Sequence, residues 1–312
     1  MKILVTGGAG FIGSHYLNIM VNRYHDNDYV CVDLLTYAGN LSNIEKIIDC
    51  PNFKFVKLDI CDREGIDELF NNEKFDAIIH FAAETHVDRS FNNEELFYKT
   101  NVEGTRVLLD ASIKYKVKRF HQISTDEVYG SIDRHSNETF NEESKLNPTN
   151  PYSKSKALAD NLVLDYFNKY NLYVTISRSS NNYGLNQYPE KLIPLVINNI
   201  LNNKKIPIYG NGLNMRDWLY VSDNVEAIDL IFNKGRKGEI YNISSCNELT
   251  NIDVVRKILK LMDKDESLIE YVEDRIIHDY KYTMDSSKIK KELGFKPKYS
   301  FDLGLKEMLN KE

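Results

Sequence analysis

Four glycines fall within seven residues, Gly7-Gly8-Ala9-Gly10-Phe11-Ile12-Gly13, directly behind a short apolar run, Ile3-Leu4-Val5. Gly8, Gly10 and Gly13 satisfy G-x-G-x-x-G, and Gly7, Gly10 and Gly13 also stand three apart. Glycines at a strand-to-helix turn let the backbone bend sharply and approach a pyrophosphate, whose charge then meets free amides and the positive end of the following helix. Alone the motif is weak, but its context adds to it. Phe11, Ile12, Tyr16 and Leu17 have helical spacing, and Asp33 closes the next apolar run twenty residues past Gly13, where a carboxylate can bind both ribose hydroxyls. A carboxylate there also repels a 2'-phosphate, and Leu34 offers no guanidinium to neutralise one. NAD is therefore expected in preference to NADP, on a loop made by Gly7, Gly10, Phe11, Ile12 and Gly13.

The apolar runs Ile3 to Val5, Tyr29 to Val32, Phe53 to Val56, Ala77 to Ile79 and Phe120 to Ile123 are short and bounded by polar residues or glycine, as buried strands are. Between them lie stretches with helical spacing, such as Val102, Val107, Leu108 and Ala111. Alternating strand and helix predict an α/β chain with a doubly wound parallel sheet, a NAD-binding Rossmann fold, over residues 1–180. From about Asn181 the alternation becomes irregular, broken by Pro189, Pro194, Pro207 and the turn Tyr209-Gly210-Asn211-Gly212. A smaller α/β substrate-binding lobe is expected over residues 181–312, with some chain crossing between the two parts. Within it, Ile252, Val255, Ile258, Leu259 and Met262 form a helical stripe behind the capping candidates Thr250 and Asn251, and a helix over roughly Ser286 to Leu293 stops at Gly294.

Composition narrows the partners. A formal net charge of -6, with no run of basic residues, disfavours nucleic acid. Cys31, Cys50, Cys61 and Cys246 form no C-x-x-C pair and no zinc spacing, so no metal is expected and the thiols read as reduced. The first apolar run is too short for a signal peptide, and no apolar stretch approaches the roughly 20 residues of a membrane span, so a cytoplasmic location is expected.

Two further patterns carry chemistry. Tyr152 and Lys156 form Y-x-x-x-K near the start of a helix reading Ser153 to Tyr170, and their i, i+4 spacing puts both on one face. A phenol of pKa about 10 is a poor base at neutral pH, but a neighbouring ammonium and a cationic nicotinamide favour the phenolate. The fifth strand ends in Ser124-Thr125-Asp126-Glu127, at the carboxyl edge where parallel sheets hold their ligands. Acids in that place also serve as turn or cap residues, and the segment by itself leaves both uses open.

Taken together these blocks resemble the extended short-chain dehydrogenase/reductases, and within them the dTDP-glucose 4,6-dehydratase family. The likeness runs through the glycine loop, Leu35-Thr36-Tyr37-Ala38-Gly39-Asn40-Leu41, Ala82-Ala83-Glu84-Thr85-His86-Val87-Asp88-Arg89-Ser90, Asn101-Val102-Glu103-Gly104-Thr105, Pro151-Tyr152-Ser153-Lys154-Ser155-Lys156 and Arg216-Asp217-Trp218-Leu219-Tyr220-Val221. The resemblance implies a hydro-lyase cycle on dTDP-glucose. Tyr152, helped by Thr125, removes the C4 hydroxyl proton as hydride passes to NAD+; Glu127 takes the C5 proton while Asp126 protonates the departing C6 hydroxyl; hydride then returns to C6. NAD is regenerated in place, so it should be tightly held. One of the two adjacent acids must stay protonated, and like charges in a confined site push one pKa upward. The resemblance also sets Asp59, Ile60, Ala82 and Ala83 beside the cofactor and implies a homodimer bundled through helices around Asn92 to Lys116 and Ser153 to Tyr170.

For the nucleotide sugar, the resemblance points to His86, Asn182, Glu190, Lys191, Leu192, Tyr209, Arg216, Asn251, Arg275 and His278. Arg216 is the best pyrophosphate ligand among them, because a guanidinium can bind two oxygens at once. The sequence departs from the family at Leu185, at Ile276-Ile277, and at Tyr280 and Lys281, so a UDP-linked sugar stays open as substrate. A 4-epimerase or decarboxylase would share the glycine loop, Thr125, Tyr152 and Lys156 without needing Asp126 and Glu127. A non-catalytic NAD-binding module would need none of these side chains.

Overall fold

The computed structural model describes residues 1–133, 136–275 and 278–309. Strand β1 (Lys2–Thr6) is apolar on both sides because both faces of its sheet are covered. Ile3 and Val5 meet Tyr16, Leu17 and Met20 of helix α1 (Phe11–Arg23) on one face. On the other face Leu4 meets Ile66 and Phe70 of α2 (Arg63–Glu73), together with side chains from α5 (Gly104–Lys114) and α6 (Pro151–Tyr170). Two short helices, α3 (Val87–Asn92) and α4 (Glu94–Tyr98), precede α5.

Strands β2 (Asp28–Asp33), β3 (Phe53–Lys57), β4 (Ala77–His80), β5 (Arg119–Thr125) and β6 (Val174–Ser179) pair in parallel with β1 in the order β3-β2-β1-β4-β5-β6. The order reverses between β1 and β4, and a crevice opens beyond their carboxyl ends. Gly7 follows β1 there with φ +70°, and a Cβ on it would lie 2.5 Å from the Ala82 nitrogen. A doubly wound Rossmann sheet is thus the observed fold.

The remaining chain builds the smaller lobe. Strands β7 (Asn181–Tyr183), β9 (Met215–Tyr220) and β11 (Glu248–Thr250) form a three-stranded sheet, while β8 (Ile206–Tyr209) pairs with β12 (Ile269–Val272). Helices α7 (Leu192–Leu201), α9 (Asn251–Leu261) and α11 (Phe301–Leu309) enclose a core with Tyr183, Trp218 and Ile258. Between these, α8 (Val221–Lys234), β10 (Glu239–Ile243) and α10 (Ser287–Leu293) return to the large sheet, where β10 adds a seventh parallel strand beside β6.

Local chemistry decides several boundaries. Helix α6 starts two residues earlier than its apolar spacing suggested, because Pro151 occupies its first turn and Asn150 and Ser153 form a reciprocal capping box. Thr250, not Asn251, caps α9 by accepting from the Asp253 nitrogen. Gly294 ends α10 at φ +74°. Among the described residues no helix is long and apolar enough to cross a membrane.

Close packing at the glycine loop yields a test. A Cβ at Gly13 would meet the Gly7 carbonyl oxygen at 2.4 Å and the Gly8 Cα at 2.9 Å, both of them backbone. Gly13→Ala should therefore push α1 off the loop at a cost of about 1–3 kcal/mol, read as a lower urea midpoint, and should weaken NAD binding at least about tenfold by equilibrium dialysis, a factor worth about 1.4 kcal/mol. An unchanged midpoint and affinity would mean that the loop does not depend on this contact.

Candidate active site

A cleft of about 380 Å³ runs along the carboxyl edge of the large sheet and under the smaller lobe. Gly7, Gly10, Phe11, Ile12 and Gly13 form one end of it. Gly10 begins α1 without a side-chain cap, so the first amides of that helix stay available to an anion. Asp33 stands beside them. Its Oδ1 accepts from the Leu35 nitrogen at 2.8 Å and its Oδ2 from the Ala9 nitrogen at 3.0 Å. Each carboxylate oxygen therefore keeps acceptor capacity for a ribose hydroxyl. Leu34, Asp59, Ile60, Ala82 and Ala83 also line this end. A glycine cradle that tolerates no Cβ, an uncapped helix start and a fixed carboxylate fit a dinucleotide.

At the other end, β5 delivers Thr125 and runs into a tight turn over Asp126–Tyr129. The Thr125 hydroxyl accepts from the Glu127 nitrogen at 3.3 Å and donates to Asp126 Oδ1 at 3.1 Å. Asp126 is buried, and its Oδ2 has no hydrogen-bond partner. Burial first, and the neighbouring Glu127 second, push the Asp126 carboxyl up to about 8. Glu127 is also raised by burial, but Asn150 donates to its Oε2 at 3.2 Å, and Arg216 and Lys191 add opposing positive charge. The two acids are therefore held unequally, and Asp126 is the one that burial and its neighbour favour in protonated form.

Tyr152 and Lys156 project from the first turns of α6 into the same cleft. The Lys156 ammonium donates to the Ile123 carbonyl at 2.7 Å, and burial pushes its pKa down to about 8. Burial and the charge of Glu127 hold the Tyr152 phenol well above its ordinary value, while a hydrogen bond with Thr125 acts in the opposite sense. Ionising this phenol thus needs positive charge on its other side.

Not all the sequence-derived substrate residues share this cleft. Asn182, Glu190 and Lys191 line it. Lys191 donates to the Thr85 carbonyl at 3.3 Å, and Asn182 to the Ser180 carbonyl at 2.9 Å. Glu190 pairs with Arg89 at 2.9 Å, and that guanidinium lies 3.8 Å over the Tyr37 ring, which joins the smaller lobe to the loop beside Asp33. His86 caps α3 by accepting from the Arg89 nitrogen and lies 3.6 Å from Glu190. Leu192 packs on the apolar core of the smaller lobe.

Arg216, Tyr209, Asn251, Arg275 and His278 are not among the side chains that line this cleft. Arg216 donates to the carbonyls of Met215, Asp279 and Tyr280 and stacks 4.4 Å over Tyr282, yet its charge still reaches Asp126 and Glu127. Arg275 lies 4.8 Å over the Tyr209 ring and pairs with Asp88 at 2.9 Å. His278 bonds Asp274 at 2.6 Å, and the Asn251 nitrogen bonds the Asn214 carbonyl. Ile276-Ile277, a departure from the family pattern, lies outside the described residues.

The sequence reading gave no site role to several neighbours, although Tyr37, Thr85 and Asn101 stand in the family blocks. Thr85, Tyr37 and Thr100 line the cleft, and Asn150 reaches Glu127. Asn101 sits in a widened helical turn, Lys99–Glu103, and exchanges bonds with both backbone groups of Glu84 while donating to Ser155, which locks the loop after β4 onto α6. No spacing rule marks such a turn. Asn150 was findable, as a capping residue two positions before Tyr152.

Comparison with known proteins agrees with this geometry. The family model described as GDP-mannose 4,6 dehydratase matches residues 4–308. The low-salt glycan biosynthesis protein Agl12 of Haloferax volcanii is 47% identical over 305 residues, covering 98% of this chain and 96% of the relative. A dTDP-glucose 4,6-dehydratase of Escherichia coli is 47% identical over 330 residues, covering 98% and 91%. The crystal structure of dTDP-glucose 4,6-dehydratase from Bacillus anthracis in complex with NAD superposes with a TM-score of 0.92 at 46% identity, covering 99% of this chain and 96% of that one. Matched by the family model over residues 4–308 and by these relatives along nearly its whole length, the chain belongs to the nucleotide-sugar 4,6-dehydratase family.

Proposed function

We propose that this chain converts dTDP-D-glucose to dTDP-4-keto-6-deoxy-D-glucose and water. The observation that carries the reading is Asp126, a buried acid with one unpartnered oxygen, beside Glu127 in the cleft that also holds Tyr152, Lys156 and the glycine loop. The glycine loop, Asp33 and Lys156, which line that cleft, would hold NAD, and when bound it would supply a reversible oxidation of the sugar C4 carbinol to a ketone.

The residues of the chain divide the proton transfers. Tyr152 takes the C4 hydroxyl proton, with Thr125 bonded to the same oxygen and the Lys156 ammonium favouring the phenolate. A ketone at C4 acidifies the C5 hydrogen. Glu127, the acid with nearby cations, removes it as general base, and Asp126, the acid that keeps its proton, delivers that proton to the C6 hydroxyl as water leaves. Asn182, Glu190 and Lys191 border the sugar, and Arg216, Tyr209, Asn251, Arg275, His86 and His278 form the outer ring that meets the nucleotide diphosphate, with Leu192 packing behind them. A 4-epimerase would need no proton donor at Asp126, and the buried, upshifted carboxyl favours the dehydratase reading.

Incubation with dTDP-glucose should yield the 4-keto-6-deoxy product, seen by its absorbance in alkali. UDP-glucose run in parallel decides the carrier, and formation of a C4 epimer with no ketone would overturn the reading. Asp126→Asn should slow water loss by about 10²- to 10⁴-fold and the initial oxidation much less, leaving an exchangeable ketone. Because Asp126 acts while protonated, the elimination step should fall as pH rises through about 8. Equal slowing of both steps, or a flat alkaline limb, would remove Asp126 from the proton-donor role.

The proposed assembly is a homodimer. Phe91 of α3, Leu96 and Tyr98 of α4, and Leu158 and Tyr170 of α6 are large apolar side chains left exposed, and they support helix packing between two copies. Four free cysteines support action in a reducing cytoplasm. Sedimentation at micromolar concentration should give twice the chain mass, and Leu158→Glu should shift it to monomer; a monomeric parent protein would contradict the assembly.

A further inference from the structure

The chain enters α6 along the turn that carries the two acids. The Asn147 nitrogen donates to the Val128 carbonyl at 3.1 Å, the Thr149 hydroxyl donates to Asp279 Oδ2 at 2.6 Å, and Asn150 follows, buried. As the cap of α6, Asn150 turns its Oδ1 to the Ser153 nitrogen at 2.9 Å and its backbone nitrogen to Ser153 Oγ at 3.2 Å. A backbone N–H can only donate, so the atom facing it is the amide oxygen, and the amide nitrogen is left as the other prong. That nitrogen donates to Glu127 Oε2 at 3.2 Å. Serine and aspartate cap a helix about as well as asparagine, yet neither carries an amide donor, so capping alone does not call for asparagine at this position.

We propose that Asn150 is a positioning residue of the elimination step: the helix cap aims its amide at one oxygen of Glu127, which holds that acid as a carboxylate and leaves the other oxygen to the C5 hydrogen. The assignment rests on the reading of Glu127 as the base that acts after C4 oxidation. An amide N–H only donates, and a charged carboxylate accepts such a bond more strongly than a neutral acid does. The bond accordingly acts against the upward push of burial on Glu127. Other elements face the same carboxylate with charge. Arg216 of β9 and Lys191, just ahead of α7, favour the ionised form, and Asp279 opposes it. Asp126 on the same turn, Tyr152 of α6 and the buried Tyr282 are each raised by burial and then by the charge of Glu127. Against this mixed surround, the Asn150 bond is a direct contact whose direction is set by the backbone of α6.

Asn150→Ser separates the two uses of the side chain. Its hydroxyl still caps α6 but ends one bond short of the amide nitrogen, so the cap stays and the bond to Glu127 goes. The urea midpoint should remain near that of the parent. In single-turnover reactions of NAD-loaded enzyme with dTDP-glucose, C4 oxidation should keep its rate, while incorporation of solvent deuterium at C5 should slow about tenfold, in line with one lost bond to a charged acceptor. Because Glu127 acts as the carboxylate and loses a donor that favours that form, the acid-limb inflection of the C5 step should move to higher pH. Asn150→Asp keeps the cap but sets a second carboxylate against Glu127, and should move the inflection further the same way. Asn150→Ala loses cap and amide together; it should lower the urea midpoint yet share the inflection of Asn150→Ser. A parental C5 step and inflection in Asn150→Ser, with a defect only in Asn150→Ala, would reduce Asn150 to a helix cap. Independently of any turnover, carboxyl-¹³C-glutamate NMR of the NAD-loaded protein should find Glu127 titrating at higher pH in Asn150→Ser than in the parent, its resonance identified by its loss in Glu127→Gln. An unmoved titration would overturn the proposal whichever sugar the parent turned over. Failure of the parent to form ketone, with the titration shifted as expected, would count against the proposed reaction and for the hold of Asn150 on Glu127.

Discussion

The bond from the Lys156 ammonium to the Ile123 carbonyl ties together the two elements that carry the chemistry. Helix α6 brings Tyr152 and Lys156, and strand β5 brings Thr125 and the two acids. Without a link between them, the phenol and the acids would depend on separate packing layers for their relative position. The helix is fixed at its start by the Asn150–Ser153 capping box, and Asn150 also donates to Glu127. One asparagine therefore sets the beginning of the helix and orients Glu127 on the neighbouring turn, so that capping and electrostatics are the same set of bonds seen from two sides.

Low dielectric does most of the tuning. Burial raises Asp126, Glu127 and Tyr152 and lowers Lys156, so in the ligand-free cleft every one of these groups is pushed toward its neutral form. Chemistry begins when that balance is tilted by specific charges. Lys191 and Arg216 oppose the upward shift of Glu127, and the close presence of Glu127 adds to the larger effect of burial on Asp126. Two adjacent carboxyls are thus held unequally although both come from one turn of chain.

Much of this was legible in the residues. The glycine spacing, the acid at Asp33 and the Y-x-x-x-K pair are local patterns whose geometry follows from the strand-turn-helix and from the helical repeat, and they meet in one cleft. The outer ring was not legible in the same way. The Arg216 guanidinium is bonded to the carbonyls of Met215, Asp279 and Tyr280, which come together only through pairing of distant segments. The return of α8 and β10 to the large sheet is likewise a long-range choice, since apolar strands read alike wherever they dock. Asn101 stands in one of the family blocks, but its bonds to Glu84 and Ser155 were not legible, because a widened helical turn interrupts no hydrophobic pattern.

The smaller lobe is joined to the cofactor end by charge and ring contacts around α3. Glu190 holds Arg89, Arg89 covers Tyr37, and Tyr37 meets the Tyr188 ring edge-on at 5.1 Å. Asp88, next to Arg89 in the chain, holds Arg275 from the other side of the lobe. The same short helix therefore holds an arginine of the smaller lobe through Asp88 and covers the loop beside Asp33 through Arg89, so two distant stretches of chain take their relative position from adjacent residues of one turn.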